Sequence, residues 1–178
     1  MSLRLFVALD LPAAAREELA AWAAHAAPPE LRRVPVANLH LTLAFLGQRG
    51  EDEARAVAAQ LEEVARPLDA LHTAGALWLP PRRPGVLAVA LADSAGLSAV
   101  HADLVDALVE TIGFEPERRA FRPHVTVARV RRPGSVRAAA LATPAPALAI
   151  EPVALTLFRS RTAVGGARYE PLARVALA

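Results

Sequence analysis

His40-Leu41-Thr42-Leu43-Ala44-Phe45-Leu46-Gly47 and, further along the chain, His124-Val125-Thr126-Val127-Ala128-Arg129-Val130 share one order: histidine, apolar, threonine, apolar, alanine. Both stretches are rich in strand-forming residues. Side chains alternate along a strand, so His40 and Thr42 share a face, about 6.6 Å apart at a rise of about 3.3 Å per residue. Leu41, Leu43 and Phe45 then point the other way, into a core. The same alternation pairs His124 with Thr126 and turns Val125 and Val127 inward. Polar groups on otherwise apolar strands destabilise a fold unless they are hydrogen-bonded or used. One such strand reads as a satisfied core histidine beside a β-favouring threonine. Two copies, close to half a chain length apart, read as a site.

Working outward, Leu3 to Leu9 forms a first strand, and Pro12 stands at the start of an alanine-rich helix over 13–27. Val34-Pro35-Val36 is an extended approach to the first motif strand, 39–46, which Gly47 and Gly50 close with a turn. A second helix over 51–65 carries Val57, Leu61 and Val64 on one stripe, and its acidic first turn suits the helix dipole. Strands over 71–79 and 86–91 flank a proline-rich turn. Leu97, Val100, Leu104, Leu108 and Ile112 recur at helical spacing, with Gly113 as the C-terminal cap. After the second motif a short helix is expected near 135–142, then prolines, then strands over 152–159 and 168–176 about Gly165-Gly166. This order is α+β, with a loose internal repeat that predicts two pseudo-equivalent lobes within one domain, 1–178.

Composition narrows the classes. The chain has 178 residues, 54% apolar and 21% charged, enough for a sizeable core and too apolar for disorder. Cysteine is absent, which removes disulfides, thiolate metal sites and cysteine nucleophiles. Neither a His-Glu-x-x-His run nor a glycine-rich phosphate loop occurs, so a metallophosphoesterase is disfavoured and no cofactor or metal is expected. Leu3 to Leu9 contains Arg4 and ends at Asp10, unlike a signal peptide, and no apolar run is long enough to span a membrane. A soluble, cytoplasmic monomer is the expectation. All 20 cations are arginine. GC-rich coding would explain that bias, yet arginine is also the better bidentate ligand for phosphate.

Two imidazoles facing one cleft can act as acid and base near neutral pH without a metal. Displacement at a phosphodiester needs both operations, on opposite sides of phosphorus. Either histidine can take either role on the residues alone. Thr42 and Thr126 can donate hydrogen bonds to phosphoryl oxygens as charge builds there. Arg129 would add a charged donor, but it lies five residues after His124. An odd offset puts it on the opposite face unless a twist, bulge or strand end intervenes.

The paired motifs resemble the signature of the two-histidine phosphoesterase superfamily. With Arg4-Leu5-Phe6-Val7-Ala8-Leu9, Phe121-Arg122-Pro123-His124 and Tyr169 before Pro171-Leu172, the chain is similar to bacterial RNA 2′,3′-cyclic phosphodiesterases, historically called 2′-5′ RNA ligases. The resemblance covers nearly the whole chain, and neither motif departs from it. It implies two lobes about a cleft, each a mostly antiparallel sheet with helices outside and one catalytic histidine. It also implies metal-free opening of a 2′,3′-cyclic phosphate to a 2′-phosphate, with RNA ends or small cyclic-phosphate nucleotides as partners. His40 would be the proton donor and His124 the acceptor, Thr42 and Thr126 would hold the non-bridging oxygens, and Arg129 would bind phosphate. The same site could run weakly backward and join ends.

His25 is expected on a helix surface, His72 in a structural role, and His101 with Asp103 as an exposed pair. Phe6, Phe45, Phe121, Phe158 and Tyr169 are candidates to stack bases, although most read as core. Arg118, Arg119, Arg122, Arg131 and Arg132 would form a basic rim that makes RNA binding salt-sensitive. Three rivals follow: a true ligase, an esterase for small nucleotides, and a nucleotide- or RNA-end-binding module without significant turnover.

Overall fold

The computed structural model describes residues 2–132, 134, 136–164 and 166–177. In chain order the elements are β1 (Leu3–Asp10), α1 (Ala13–Ala26), β2 (Leu31–Arg33), a 3-10 turn (Val36–Asn38), β3 (His40–Arg49), α2 (Glu51–Val64), β4 (Leu71–Leu79), β5 (Val86–Leu91), α3 (Ala95–Ile112), β6 (His124–Val130), β7 (Ala149–Ile150), β8 (Ala154–Ala163) and β9 (Gly166–Ala176). The strands form one sheet in the order β7-β4-β5-β6-β3-β1-β8-β9, with β2 added on β6. Every pairing is antiparallel.

Two halves are visible in that order. β1 sits between β3 and β8 with long registers on both sides, and β6 is held along β5 and, at its outer end, by the three-residue β2. The halves meet where β3 pairs β6 through Leu41 and Val125. The two motif strands are therefore central neighbours, each backed by its own half. This is the α+β, two-lobed antiparallel arrangement that the repeat predicts.

The helices follow from their stripes. Val57, Leu61 and Val64 of α2 and Leu97, Val100, Leu104 and Leu108 of α3 are all buried. α2 packs on α3 and on β8 and β9, while α1 packs on β2, β6 and the 3-10 turn. The Gly50 amide donates to the Glu53 carboxylate (2.7 Å), which fixes the start of α2. The Leu97 amide donates to Ser94 Oγ at the start of α3, and Gly113 ends that helix at φ 59°.

Three expectations need correction. β3 runs on to Arg49, because Gly47 at φ 72° is accommodated within the strand rather than turning it. Residues 36–38 form a 3-10 turn, not extended chain. The segment 136–142 is not helical. One of its carbonyls is taken from outside: the Trp78 indole donates to the Ala139 carbonyl (2.9 Å), and just beyond the segment the Trp22 indole donates to that of Thr143 (3.1 Å). Residue 135 and Gly165, parts of the expected helix and turn, lie outside the described residues.

Candidate active site

His40 and His124 open β3 and β6. With Leu41 opposite Val125, the antiparallel register brings His40 abreast of Thr126 and Thr42 abreast of His124. Each histidine thus faces the other motif's threonine. All four side chains, together with Val34, Asn38, Phe45, Arg129 and Tyr169, line a small cavity of about 30 Å³.

Matching irregularities shape both strands. Against β1, Val7 pairs Ala44 and Ala8 pairs Thr42, so Leu43 is skipped. Against β5, Leu87 pairs Ala128 and Ala88 pairs Thr126, so Val127 is skipped. These are bulges, and each places two consecutive residues inward. Leu43 with Ala44 and Val127 with Ala128 are accordingly all buried. The fifth position after each histidine is then returned to the cleft face. That supplies the bulge that Arg129 requires. It also corrects Phe45, which is 60% exposed rather than in the core.

Backbone carbonyls orient both imidazoles. His40 Nδ1 bonds the Asn38 carbonyl and His124 Nδ1 bonds the Arg122 carbonyl, each at 2.7 Å. A carbonyl only accepts, so both Nδ1 atoms carry hydrogen and Nε2 is left for the cavity. His40 Nε2 lies 2.9 Å from Thr42 Oγ1. With the imidazole neutral, the threonine hydroxyl is the donor. The Asn38 side chain donates to the Ala167 carbonyl (2.9 Å), which ties the 3-10 turn to β9.

An aromatic wall stands behind His40. Phe6 stacks on it with ring centres 4.9 Å apart, and Tyr169 meets it edge-on at 5.4 Å. Phe158 stacks in turn on Phe6 at 5.2 Å. Burial lowers the His40 pKa to about 4; the Asn38 carbonyl opposes this, Arg129 adds to it, Asp10 opposes it and His124 adds to it. An NMR titration of the ligand-free protein is expected to show His40 uncharged from neutral pH down to a midpoint near that value. A midpoint at the ordinary 6.5 would show that the aromatic wall does not desolvate it. In the unfolded chain His40 recovers its ordinary pKa, so between pH 6.5 and about 4 the unfolded state binds the extra proton. Stability from this group therefore falls as pH drops through that window.

Sequence reasoning missed three contributors: Asn38, the position of Phe45, and the wall of Phe6, Phe158 and Tyr169 around His40. A signal for the wall was present. Leu5 to Leu9 is apolar at every position, so β1 needs cover on both faces. His101 also departs from expectation. It is half-buried and stacked on Phe121 (3.8 Å between ring centres, 10° between planes), while Asp103 turns away to bond Arg66 at 2.7 Å. His25 and His72 are exposed, as are Arg118, Arg119, Arg122, Arg131 and Arg132. Among the described residues, no three His, Cys, Asp or Glu side chains converge as a metal site, and no helix is long and apolar enough to cross a membrane.

Known proteins resemble this chain in sequence and in fold. The family model for the 2'-5' RNA ligase superfamily matches residues 11–162. An RNA 2',3'-cyclic phosphodiesterase from Escherichia coli (strain K12) is 34% identical over 184 residues, covering 98% of this chain and 96% of that one. A protein of the same description from Thermus thermophilus is 32% identical over 140 residues, covering 74% of this chain and 70% of its own. The crystal structure of E. coli LigT complexed with 3'-AMP superposes with a TM-score of 0.82 at 32% identity and covers 99% of both chains. With a family model spanning most of its length and a relative matched almost end to end, this chain belongs to the 2'-5' RNA ligase superfamily.

Proposed function

We propose that this protein hydrolyses 2′,3′-cyclic phosphates at RNA ends to 2′-phosphates by metal-independent, two-histidine acid-base catalysis. The observation that carries this reading is the pair of imidazoles, each held through Nδ1 and each presenting Nε2 to a cavity that also holds Thr42, Thr126 and Arg129. Relatives described as RNA 2',3'-cyclic phosphodiesterases support the substrate class.

In the proposed step, His124 Nε2 takes a proton from water as the water oxygen bonds to phosphorus. The bond from phosphorus to the 3′ oxygen breaks, and His40 Nε2–H protonates that oxygen. A 2′-phosphate and a 3′-hydroxyl remain. Thr42, Thr126 and the Arg129 guanidinium donate to the non-bridging oxygens, where charge accumulates. His40 is neutral in the free protein, so it must gain its proton with the substrate. A phosphate anion beside the imidazole favours the charged form and supplies the reason. Run backward, the same atoms join two ends through a 2′-5′ linkage. Both histidines come from one chain, so a monomer of one two-lobed domain, residues 1–178, completes the site. A cysteine-free chain suits the reducing cytoplasm.

The test is incubation with a 2′,3′-cyclic mononucleotide and a cyclic-ended oligonucleotide in excess EDTA, with products read by phosphorus NMR. A 2′-phosphate is expected from both. Loss of turnover in EDTA, or a 3′-phosphate product, overturns the mechanism. Tight binding without turnover would instead identify a nucleotide- or RNA-end-binding module.

A further inference from the structure

Asn38 joins three parts of the molecule. Its backbone amide donates to the Pro35 carbonyl (2.8 Å) and closes the 3-10 turn. Its carbonyl accepts from His40 Nδ1 (2.7 Å), and its side-chain nitrogen donates to the Ala167 carbonyl of β9 (2.9 Å). A carbonyl only accepts, so the atom facing Ala167 is the amide nitrogen, and a carboxylate could not take its place. The side chain is half-buried and stands in the wall of the reacting cavity.

Ala167 comes two residues before Tyr169, which lines the same cavity and meets the His40 ring edge-on at 5.4 Å. β9 is an edge strand whose ladder runs to β8 alone, and β8 and β1 separate it from β3. Strand order by itself therefore does not bring the start of β9 to the turn before β3. Side-chain contacts do. Asn38 supplies one, and the Arg32 guanidinium supplies another, lying over Gly166 with its carbon 3.5 Å from where a Cβ would stand. An edge hairpin without such contacts is the part of a sheet that opens most easily.

We propose that Asn38 is a positioning residue for His40. Its side chain draws the start of β9 onto the 3-10 turn, so that the Asn38 carbonyl and the Tyr169 ring brace the imidazole from two sides and keep Nε2 turned to the cavity. The effect on turnover rests on the phosphodiesterase reading, whereas the effect on the imidazole stands without it. Asn38 acts on the ring and not on the phosphate, so its loss belongs in kcat and not in the affinity for a nucleotide.

The experiment reads the His40 tautomer by nitrogen NMR of the ligand-free protein at mildly alkaline pH, where the ring is neutral. In the unaltered protein the hydrogen is expected on Nδ1. Asn38→Ala, and Asn38→Asp, which keeps the shape but cannot donate, should each populate the Nε2–H tautomer as well. Both should lower kcat on a 2′,3′-cyclic mononucleotide by roughly 10- to 100-fold, the scale of a displaced catalytic group, and leave calorimetric binding of adenosine 3′-phosphate unchanged. Tyr169→Leu should reproduce the loss, and the double variant with Asn38→Ala should lose little more than the worse single one, because both residues act on one ring. A side chain that only stabilises the fold would lower the melting temperature and leave the tautomer and kcat unaltered below it. That result, or nucleotide binding weakened as much as kcat, overturns the proposal. Without turnover in the unaltered protein the phosphodiesterase reading is lost, and the tautomer comparison alone decides the role of Asn38.

Discussion

Replacing His40 or His124 by alanine is expected to lower the rate of cyclic phosphate hydrolysis by about 10²- to 10⁴-fold each, the span usual for a positioned acid or base. The double variant should lose little more than the worse single one, because in the proposed mechanism acid and base serve one concerted displacement and do not contribute independently. Rates of 2′-phosphate formation, followed with saturating substrate, check both statements. Binding of a 3′-nucleotide should survive in either variant, since the proposed phosphate ligands Thr42, Thr126 and Arg129 remain. The variants should differ in their effect on the fold. His40→Ala removes a ring packed against Phe6 and Tyr169 and leaves the Asn38 carbonyl without its donor, so its melting temperature should fall further than that of His124→Ala. If either alanine variant retained near-full turnover, the two-histidine mechanism would be wrong.

Arg129→Leu carries the second large effect. A hydrogen bond from a charged group contributes about 1.5–3 kcal/mol, so kcat/KM should fall by roughly 10- to 150-fold. Arg129→Lys should recover only part of this, because an ammonium keeps the charge and loses the planar fork. The leucine variant has a second readout. Arg129 helps hold the His40 pKa down, so removing its charge should move the His40 midpoint upward in an NMR titration of the free protein. An unmoved midpoint with unchanged kcat/KM would place the guanidinium outside the site.

Much of this was legible because period-two alternation dominates the motif strands. His40 and Thr42, and His124 and Thr126, share the cleft face as alternation requires, and the helical stripes of α2 and α3 are buried as their spacing predicts. Alternation failed after Leu43 and after Val127, and β3 slips once more at Leu46, which is skipped between Phe45 and Gly47. A bulge depends on the neighbouring strand's register, which single-strand periodicity does not contain. For that reason Phe45 was misplaced, while Arg129 could be stated only as needing such a device. The wall around His40 is non-local in the same sense: Phe6, Phe158 and Tyr169 come together through the β1–β8–β9 order. The 136–142 segment read as helical because alanine favours a helix locally, whereas Trp78, remote in sequence, takes the Ala139 carbonyl of that irregular stretch.

The twin bulges bear on substrate direction. The halves of the sheet repeat one device, a histidine, a threonine and a skipped residue, which alone would make a cleft with no preferred sense. Its handedness comes from what each bulge then delivers, an aromatic ring at Phe45 and a cation at Arg129. Under the proposed function, a substrate with an apolar group on one side of its phosphate and further negative charge on the other would have one favourable orientation and one poor one. A pseudo-symmetric frame acquires polarity through its unmatched parts, the fifth position after each histidine and the aromatic wall that backs His40 alone.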